Sequence, residues 1–373
     1  MAEKTSGLVG QLKRIPDPRR QCKNLWHKLE DILVMAFCGV LAGCDDFVEI
    51  ATWASYHEDF FRTFMELPNG IPSHDTFGRV CAMVRSETLQ GVLLPWLHQR
   101  RGNPGELVHI DGKYMRRTRH NSKNLGALDV VSAWASQAGL TLGQVAVETK
   151  SNEITAIPHL LELLDLQEKI VTIDAAGCQK DIAAAIVAGG GDYVLAVKDN
   201  QPTLHAEIQA AFAEVETEPL PRRREYATEE KGHGRLEQRT VRVLPVGKHL
   251  SQKAAWAGVL SLVMVVRVVM CTSTGVVSRE VGYYLSSLRP DARRIGGAIR
   301  GHWTIENGLH WVLDVVFRED ARRIYDRVAA QNIAFMNRLA LSILRGDPAK
   351  ASLKVKRKHA GWDIHYLAQL LGF

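Results

Sequence analysis

Ile170-Val-Thr-Ile-Asp174 is four residues that favour a strand, closed by a carboxylate, and Leu107-Val-His-Ile-Asp111 carries the same pattern 63 residues earlier. Short apolar runs of this kind read as buried strands. Between them, Ala127–Ala135 and Leu140–Thr149 read as two more strands, joined by the turn Gln137-Ala-Gly139, and Ile154–Leu166 has helical spacing. After Asp174 come a helix over Lys180–Ala188 and a closing strand, Tyr193-Val-Leu-Ala-Val197. Three strands on short turns, then strands alternating with helices, predict an α/β fold whose mixed sheet is flanked by helices.

Outward from this centre the pattern changes on both sides. Arg101-Gly-Asn-Pro-Gly105 is a linker, and the hundred residues before it read as helical, with an apolar run at Leu29–Leu41 and mixed three and four spacings over Phe47–Phe64. Ile71-Pro-Ser-His-Asp-Thr-Phe-Gly-Arg79 offers capping residues ahead of a helix over Thr76–Met83, which is either an ordinary bundle helix or the start of a recognition helix. On the other side, a helix over Leu204–Val215 precedes a charged stretch, Glu216–Arg239, and β-branched runs at Thr240–Leu244 and Leu260–Met270. Helices follow over Ile299–Phe317 and Val328–Leu344, then the basic run Lys354-Val-Lys-Arg-Lys-His359, a solvated tail or a phosphate-contacting segment. The expected organisation is a helical N-terminal domain over 1–100, DNA-binding in the recognition-helix reading. A catalytic domain over 101–201 and 286–347 is split by a strand-rich insertion over 202–285, and a basic C-terminal segment spans 348–373.

A chain of 373 residues exceeds the size at which a single core stops growing, so two or three domains are expected. With 46% hydrophobic and 24% charged residues it has the composition of a folded globular protein. The net charge of +6 is compatible with a polyanionic partner without identifying one. Cys22, Cys38, Cys44, Cys81, Cys178 and Cys271 form no C-x-x-C pair, which argues for reduced, mostly buried thiols rather than a zinc ribbon or a disulfide framework. Met1–Arg20 has no apolar core of signal-peptide type, and no run is long enough to span a membrane, so a cytoplasmic location is expected.

Clustered carboxylates that hold two divalent cations are what metal-assisted phosphodiester chemistry requires. Asp111 and Asp174 suit it if their strands are neighbours, because both side chains then emerge near one sheet edge, where α/β sheets place ligands; an aspartate after a strand is also an ordinary turn or cap residue. In His302-Trp-Thr-Ile-Glu306-Asn-Gly-Leu-His310-Trp-Val-Leu-Asp314, the residues Glu306, His310 and Asp314 fall at i, i+4 and i+8, a polar stripe on a helix otherwise dense in apolar groups. His310 either contacts the reacting strand or orients Glu306. Lys198, Asn200 and Gln201 follow the closing strand as backbone contacts or as a polar turn. Trp303 and Trp311 read as core in preference to base-stacking residues.

The whole chain resembles insertion-sequence DDE transposases of the H-repeat-associated kind, which have an RNase H-like catalytic domain. The resemblance runs through Asp17-Pro-Arg-Arg20, Ile71-Pro-Ser-His-Asp-Thr-Phe77, Ile110-Asp-Gly-Lys113, Lys150-Ser-Asn-Glu-Ile154, Thr172-Ile-Asp-Ala175 and Lys198-Asp-Asn-Gln201. It continues through His233-Gly-Arg-Leu-Glu237, Gly301-His-Trp-Thr-Ile-Glu-Asn307 and Leu309-His-Trp-Val-Leu-Asp-Val-Val-Phe-Arg-Glu-Asp320. It implies that Asp111, Asp174 and Glu306 are the catalytic, metal-holding triad, with two Mg²⁺ or Mn²⁺ ions as cofactor. Lys113, Lys198, Asn200, Gln201, His302, Asn307 and His310 are the expected DNA-binding residues.

The implied activity is cleavage at element ends and transfer of the 3′-hydroxyl into target DNA. The implied partners are double-stranded DNA and a second protomer, and the implied location is the bacterial nucleoid. A domesticated DNA-binding protein and an RNase H-like nuclease are the rival readings. Related hairpin-forming transposases carry a tyrosine, an arginine and a lysine around the glutamate, where this chain has Ile299, His302 and Leu313. Arg300, Arg318, Arg322 and Arg323 are then the candidates for phosphate contacts.

Overall fold

Strands dominate the middle of the chain and helices its two ends. The computed structural model describes residues 7–20, 25–119, 126–148, 151–215, 219–232 and 234–373; the motif residues Lys150 and His233, along with Cys22, Thr149 and Glu216, lie outside them. Its strands are β1 (Leu107–Met115), β2 (Leu128–Ala135), β3 (Leu140–Ala146), β4 (Ile170–Ile173), β5 (Asp192–Val197), β6 (Glu225–Gly232), β7 (Arg235–Pro245), β8 (Ser261–Cys271) and β9 (Val277–Ser286). The chain order of three strands, helix, strand, helix, strand that the sequence predicts is present, and the fold is a mixed α/β one of RNase H-like kind with a helical N-terminal region.

The chain divides into two compact units. One comprises Met1–Pro104, Gly112–Lys150 and Glu306–Phe373; the other comprises Gly105–Asp111 and Ser151–Ile305. The second is built on a sheet in the order β1-β4-β5-β9-β8-β7-β6. Its first three strands are parallel and the rest antiparallel. Tyr193–Val197 therefore does not close the sheet: β9 pairs with it, Val194 opposite Ser286, and the strands read within 202–285 extend the same sheet. Strands β6 and β9 escape sequence reading because much of their length is exposed and charged, as in Glu225-Tyr-Ala-Thr-Glu-Glu-Lys-Gly232, so no apolar alternation marks them. Charge on an edge strand such as β6 also discourages pairing with another chain.

The other unit is mainly helical. Its N-terminal part holds α1 (Leu8–Leu12), α2 (Leu29–Ala42), α3 (Phe47–Tyr56), α4 (Glu58–Arg62), α5 (His74–Met83) and α6 (Ser86–Arg101). Local signals set their ends: Asp46 caps α3 by accepting from the Glu49 amide, and Gly43, at φ 106°, stops α2 in the left-handed conformation that glycine adopts without strain. In the sheet unit lie α7 (Glu153–Glu162), α8 (Lys180–Ala188), α9 (Pro202–Glu214) and α10 (Ala292–Ile305), the last packed on β4, β6 and β7 through Ile295, Ala298 and Ile299.

Helix α11 (Trp311–Val315), α12 (Arg327–Gly346), α13 (Leu353–Trp362) and α14 (Ile364–Leu371) return to the helical unit. There α12 is buried almost without break from Ala329 to Leu344 and packs against α2, α5, α6 and β3. The basic run is neither a tail nor an exposed patch throughout. Lys356 and Arg357 point inward from α13, Lys356 donating to the carbonyls of Leu344 and Asp347 and Arg357 to those of Val40 and Val316, because a buried cation requires acceptors. Cys38, Cys44, Cys81 and Cys178 are buried thiols, as expected, and Cys271 is partly exposed. No helix among the described residues is long and apolar enough to cross a membrane.

Candidate active site

In the sheet unit, backbone register places the two aspartates. Strands β1 and β4 run parallel with Ile110 opposite Ile173, so the next residue on each is a carboxylate, and Asp111 and Asp174 are neighbours at the C-terminal edge of β4. Strand β1 itself runs on to Met115, so Asp111 lies within the strand instead of ending it. One oxygen of Asp174 accepts from the backbone amides of Ala176, at 3.1 Å, and Gly177, at 3.3 Å. The loop after it is tied down from the far side: Asn200 donates to the Ala175 carbonyl (2.6 Å) and Gln201 to that of Cys178 (2.9 Å). Lys198, on the same turn, is exposed.

Two residues before these carboxylates, polar groups occupy buried strand positions. The Thr172 hydroxyl bridges the Nδ1 atoms of His109, at 2.6 Å, and His302, at 2.8 Å, donating to one and accepting from the other. Burial, with the neighbouring His302, pushes His109 down to about 3; burial also lowers His302, against the opposing pull of Asp174. Both imidazoles are therefore neutral at pH 7. Close approach of α10 depends on Gly301, where a Cβ would stand 2.9 Å from His109 Cε1. A histidine and a threonine inside apolar strands are the sequence signal for this contact, since buried polar groups need partners.

In the helical unit, the chain after α10 enters a π-helical turn, Glu306–His310, before α11. Such turns recur at functional sites, and their i→i+5 spacing rotates every later side chain away from its α-helical direction. Across this turn Glu306 and His310 still bring ligand atoms within 4.8 Å of each other, as the expected stripe has them; Glu306 and Asn307 are exposed, His310 is buried, and Asp314 is engaged by Lys113 at 2.7 Å. Lys113 is itself buried and lies 3.7 Å from Asp320, which also faces Arg116 at 3.4 Å. Arg345 donates to the Gly308 carbonyl (2.6 Å) and lies over the Trp134 ring, fixing the turn from its other side. Nothing in the sequence announces a π turn.

Several expectations change. Trp303 and Trp311 are 47% and 58% exposed rather than core, with the Arg267 guanidinium over the Trp303 ring at 5.3 Å. Arg322 is buried, donating to the carbonyls of Phe317 and Cys44, so it is a structural cation and not a phosphate contact. Arg300 pairs with Glu230 and Arg318 with Asp45, both at the surface.

The sequence matches two family models in succession, one described as DDE_Tnp_1-associated over residues 9–97 and one described as Transposase DDE domain over residues 97–343. The chain belongs to the DDE transposase family. It is 38% identical over 371 residues to a protein of Escherichia coli O157:H7 named "Putative transposase YncI", covering 98% of this chain and 94% of that one. It is 37% identical over 369 residues to "H repeat-associated putative transposase YhhI" of Escherichia coli strain K12, covering 98% and 97%. A shorter relative of that strain, "Inactive transposase YbfQ", is 37% identical over 73 residues, 20% of this chain and 86% of its own length.

Proposed function

We propose that this transposase cleaves DNA at the ends of its insertion element and transfers the freed 3′-hydroxyl into target DNA, with Asp111, Asp174 and Glu306 as its catalytic carboxylates. The observation that carries this reading is the register that makes Asp111 and Asp174 neighbours on parallel strands. Glu306 begins the turn after α10, one residue beyond Ile305 and four beyond His302, which is bonded to Thr172 on the strand that precedes Asp174. Three carboxylates are a hard-oxygen donor set, suited to Mg²⁺ or Mn²⁺ and unsuited to softer metals. Two such ions, when bound, supply Lewis-acid stabilisation of the attacking and leaving oxygens.

The protein's own groups then hold and orient. The amides of Ala176 and Gly177 fix one Asp174 oxygen, Asn200 and Gln201 secure the loop behind it, and neutral His302 anchors α10 without adding charge. Lys113 and His310, both buried, position the segment around Glu306, while exposed Lys198 and Asn307 contact the DNA backbone. The substrates are double-stranded element ends and target DNA, two protomers pair the two ends, and the enzyme works on nucleoid DNA in the bacterial cytoplasm.

The test is Mg²⁺-dependent cleavage and joining of DNA carrying the terminal repeats, with Asp111→Ala, Asp174→Ala and Glu306→Ala. Each substitution is expected to abolish both steps while leaving DNA binding intact. Binding without cleavage by the unsubstituted protein would replace this reading with that of a domesticated binding protein, and cleavage confined to branched or hybrid substrates with that of a nuclease.

A further inference from the structure

Past the last rung that β5 makes with β9, Val197 opposite Tyr283, strands β6, β7, β8 and β9 run on as a four-stranded ribbon with two edges of its own. Directly paired residues share a face, and every second residue returns to it. Leu236, Met270 and Val277 pair in one row, Val268 stands in the next, and Val266 and Val281 pair in the one after, so six apolar groups lie on one face. The opposite face is covered by α10, whose Ile295, Ala298 and Ile299 pack with Val241, Val263 and Val265. On the apolar face, α9 closes the row of Arg242 and Tyr283: its Phe212 ring lies 6.4 Å from that of Tyr283, and Arg242 donates to the Val215 carbonyl at 3.1 Å. Beyond that row the face is open, with Val277 and Val281 58% and 37% exposed and Ala227, Glu229 and Gln238 exposed beside them.

Two charges on β6 select what covers it. Glu229 and Lys231, opposite in sign and two residues apart, stand on this face in adjacent rows, across from Gln238 and Leu236. Both signs beside an apolar centre do not suit a polyanion; they suit the face's own image. We propose that this face docks on the same face of a second copy of the chain, about a two-fold axis that crosses the strands between the rows of Glu229 and Lys231. That rotation runs the two ribbons antiparallel, sets Glu229 of each copy over Lys231 of the other, and lays Val268 over Met270. An axis along the strands would drive the two α9 helices into each other, whereas the crossing axis puts each ribbon, at the roughly 10 Å spacing of packed sheets, in the layer beside the other copy's α9. Four strands about 4.8 Å apart and three rows about 7 Å apart give roughly 400 Å² per copy, half of what a standard stable interface takes. Association through it is therefore weak alone and gains when DNA holds two copies together. The inference deepens the pairing of protomers in the proposed function by naming a surface, and it rests on that reading only for the part the dimer plays on DNA.

The experiment is analytical ultracentrifugation of the full chain, without DNA and with metal chelated, across a concentration series. The unsubstituted protein is expected to show a monomer–dimer equilibrium with a micromolar dissociation constant. Glu229→Lys and Lys231→Glu, both at exposed positions, each set like charges over one another and are expected to weaken association about tenfold. An equimolar mixture of the two variants is expected to associate as the unsubstituted protein does, because the heterodimer brings unlike charges together at both contacts, a rescue that a folding defect cannot produce. Val277→Glu is expected to weaken association too. A chain that stays monomeric throughout the series, a dimer indifferent to these substitutions, or a mixture no tighter than the single variants overturns the proposal. Charge-dependent pairing with rescue, in a protein that never cleaves DNA, upholds the face and overturns only the catalytic reading.

Discussion

In the helical unit, Arg338 of α12 meets Glu319 at 3.0 Å with both side chains fully buried, whereas in the sheet unit the buried groups beside Asp111 and Asp174 are His109, Thr172 and His302, all uncharged at pH 7. The helical unit repeats its solution with Lys356 and Arg357, each donating to main-chain carbonyls. The difference teaches where the fold spends its cations. Part of the positive charge that a sequence count offers to DNA is committed to holding helices together, and the buried positions two residues before the candidate carboxylates, His109 and Thr172, carry no charge at pH 7.

The comparison breaks most sharply at Arg338. Its Nε also donates to Ser132 (2.9 Å), and the Glu319 oxygen takes a further bond from Asn337 (3.1 Å), so removal of either ion leaves the other buried and uncompensated. Arg338→Ala or Glu319→Ala is expected to cost about 3–5 kcal/mol, read by chemical denaturation. Arg338→Met with Glu319→Leu removes both charges together and is expected to recover most of that loss. A double substitution as unstable as the single ones would mean that shape, not charge, holds this part of the core.

How far the sequence reveals the molecule follows from the same contrast. Strands β1, β4 and β5 were legible because apolar, β-branched runs have few alternatives to a buried strand, and the pairing of Asp111 with Asp174 followed once the two strands were neighbours. Strand β6 was not legible, since an exposed edge can carry any polar sequence. The π turn was not legible either, because the contact that holds it comes from Arg345, 37 residues after Gly308 in the chain, and not from local propensity. Burial of Lys113, Lys356 and Arg357 is likewise a tertiary fact, set by which carbonyls and carboxylates the fold brings to them.

A smaller effect sharpens the neutral half of the comparison. The folded-state pKa of His109 is depressed to about 3 by burial, so between the ordinary value of 6.5 and about 3 the unfolded chain binds a proton that the folded chain does not. The stability due to neutral His109 is full above pH 6.5 and is lost as pH falls toward 3, at no more than about 1.4 kcal/mol per pH unit. With metal chelated, His109→Gln is expected to flatten the acid limb of a stability profile between pH 6 and 4. An unaltered limb would locate the acid sensitivity elsewhere and would leave His109 charged in the fold.

The smallest change in stability is expected at one ion pair within the helical unit. Lys113 follows Asp111 by two residues on β1, and its Nζ reaches Asp314, about a third exposed, on the helix that continues from Glu306. Solvent screening at Asp314 limits the loss in Lys113→Met to about 1 kcal/mol. Activity is expected to suffer more, because the pair fixes the direction of the turn that carries Glu306, and a carboxylate displaced by a fraction of an ångström no longer presents the same oxygen to a metal. Strand cleavage at saturating DNA should fall at least tenfold in Lys113→Met, with affinity for the element end unchanged, and Lys113→Arg should restore part of the rate. A lowered midpoint of thermal unfolding with an unaltered cleavage rate would show that Lys113 only staples strand to helix, with the turn that carries Glu306 held by other contacts, Arg345 on Gly308 among them.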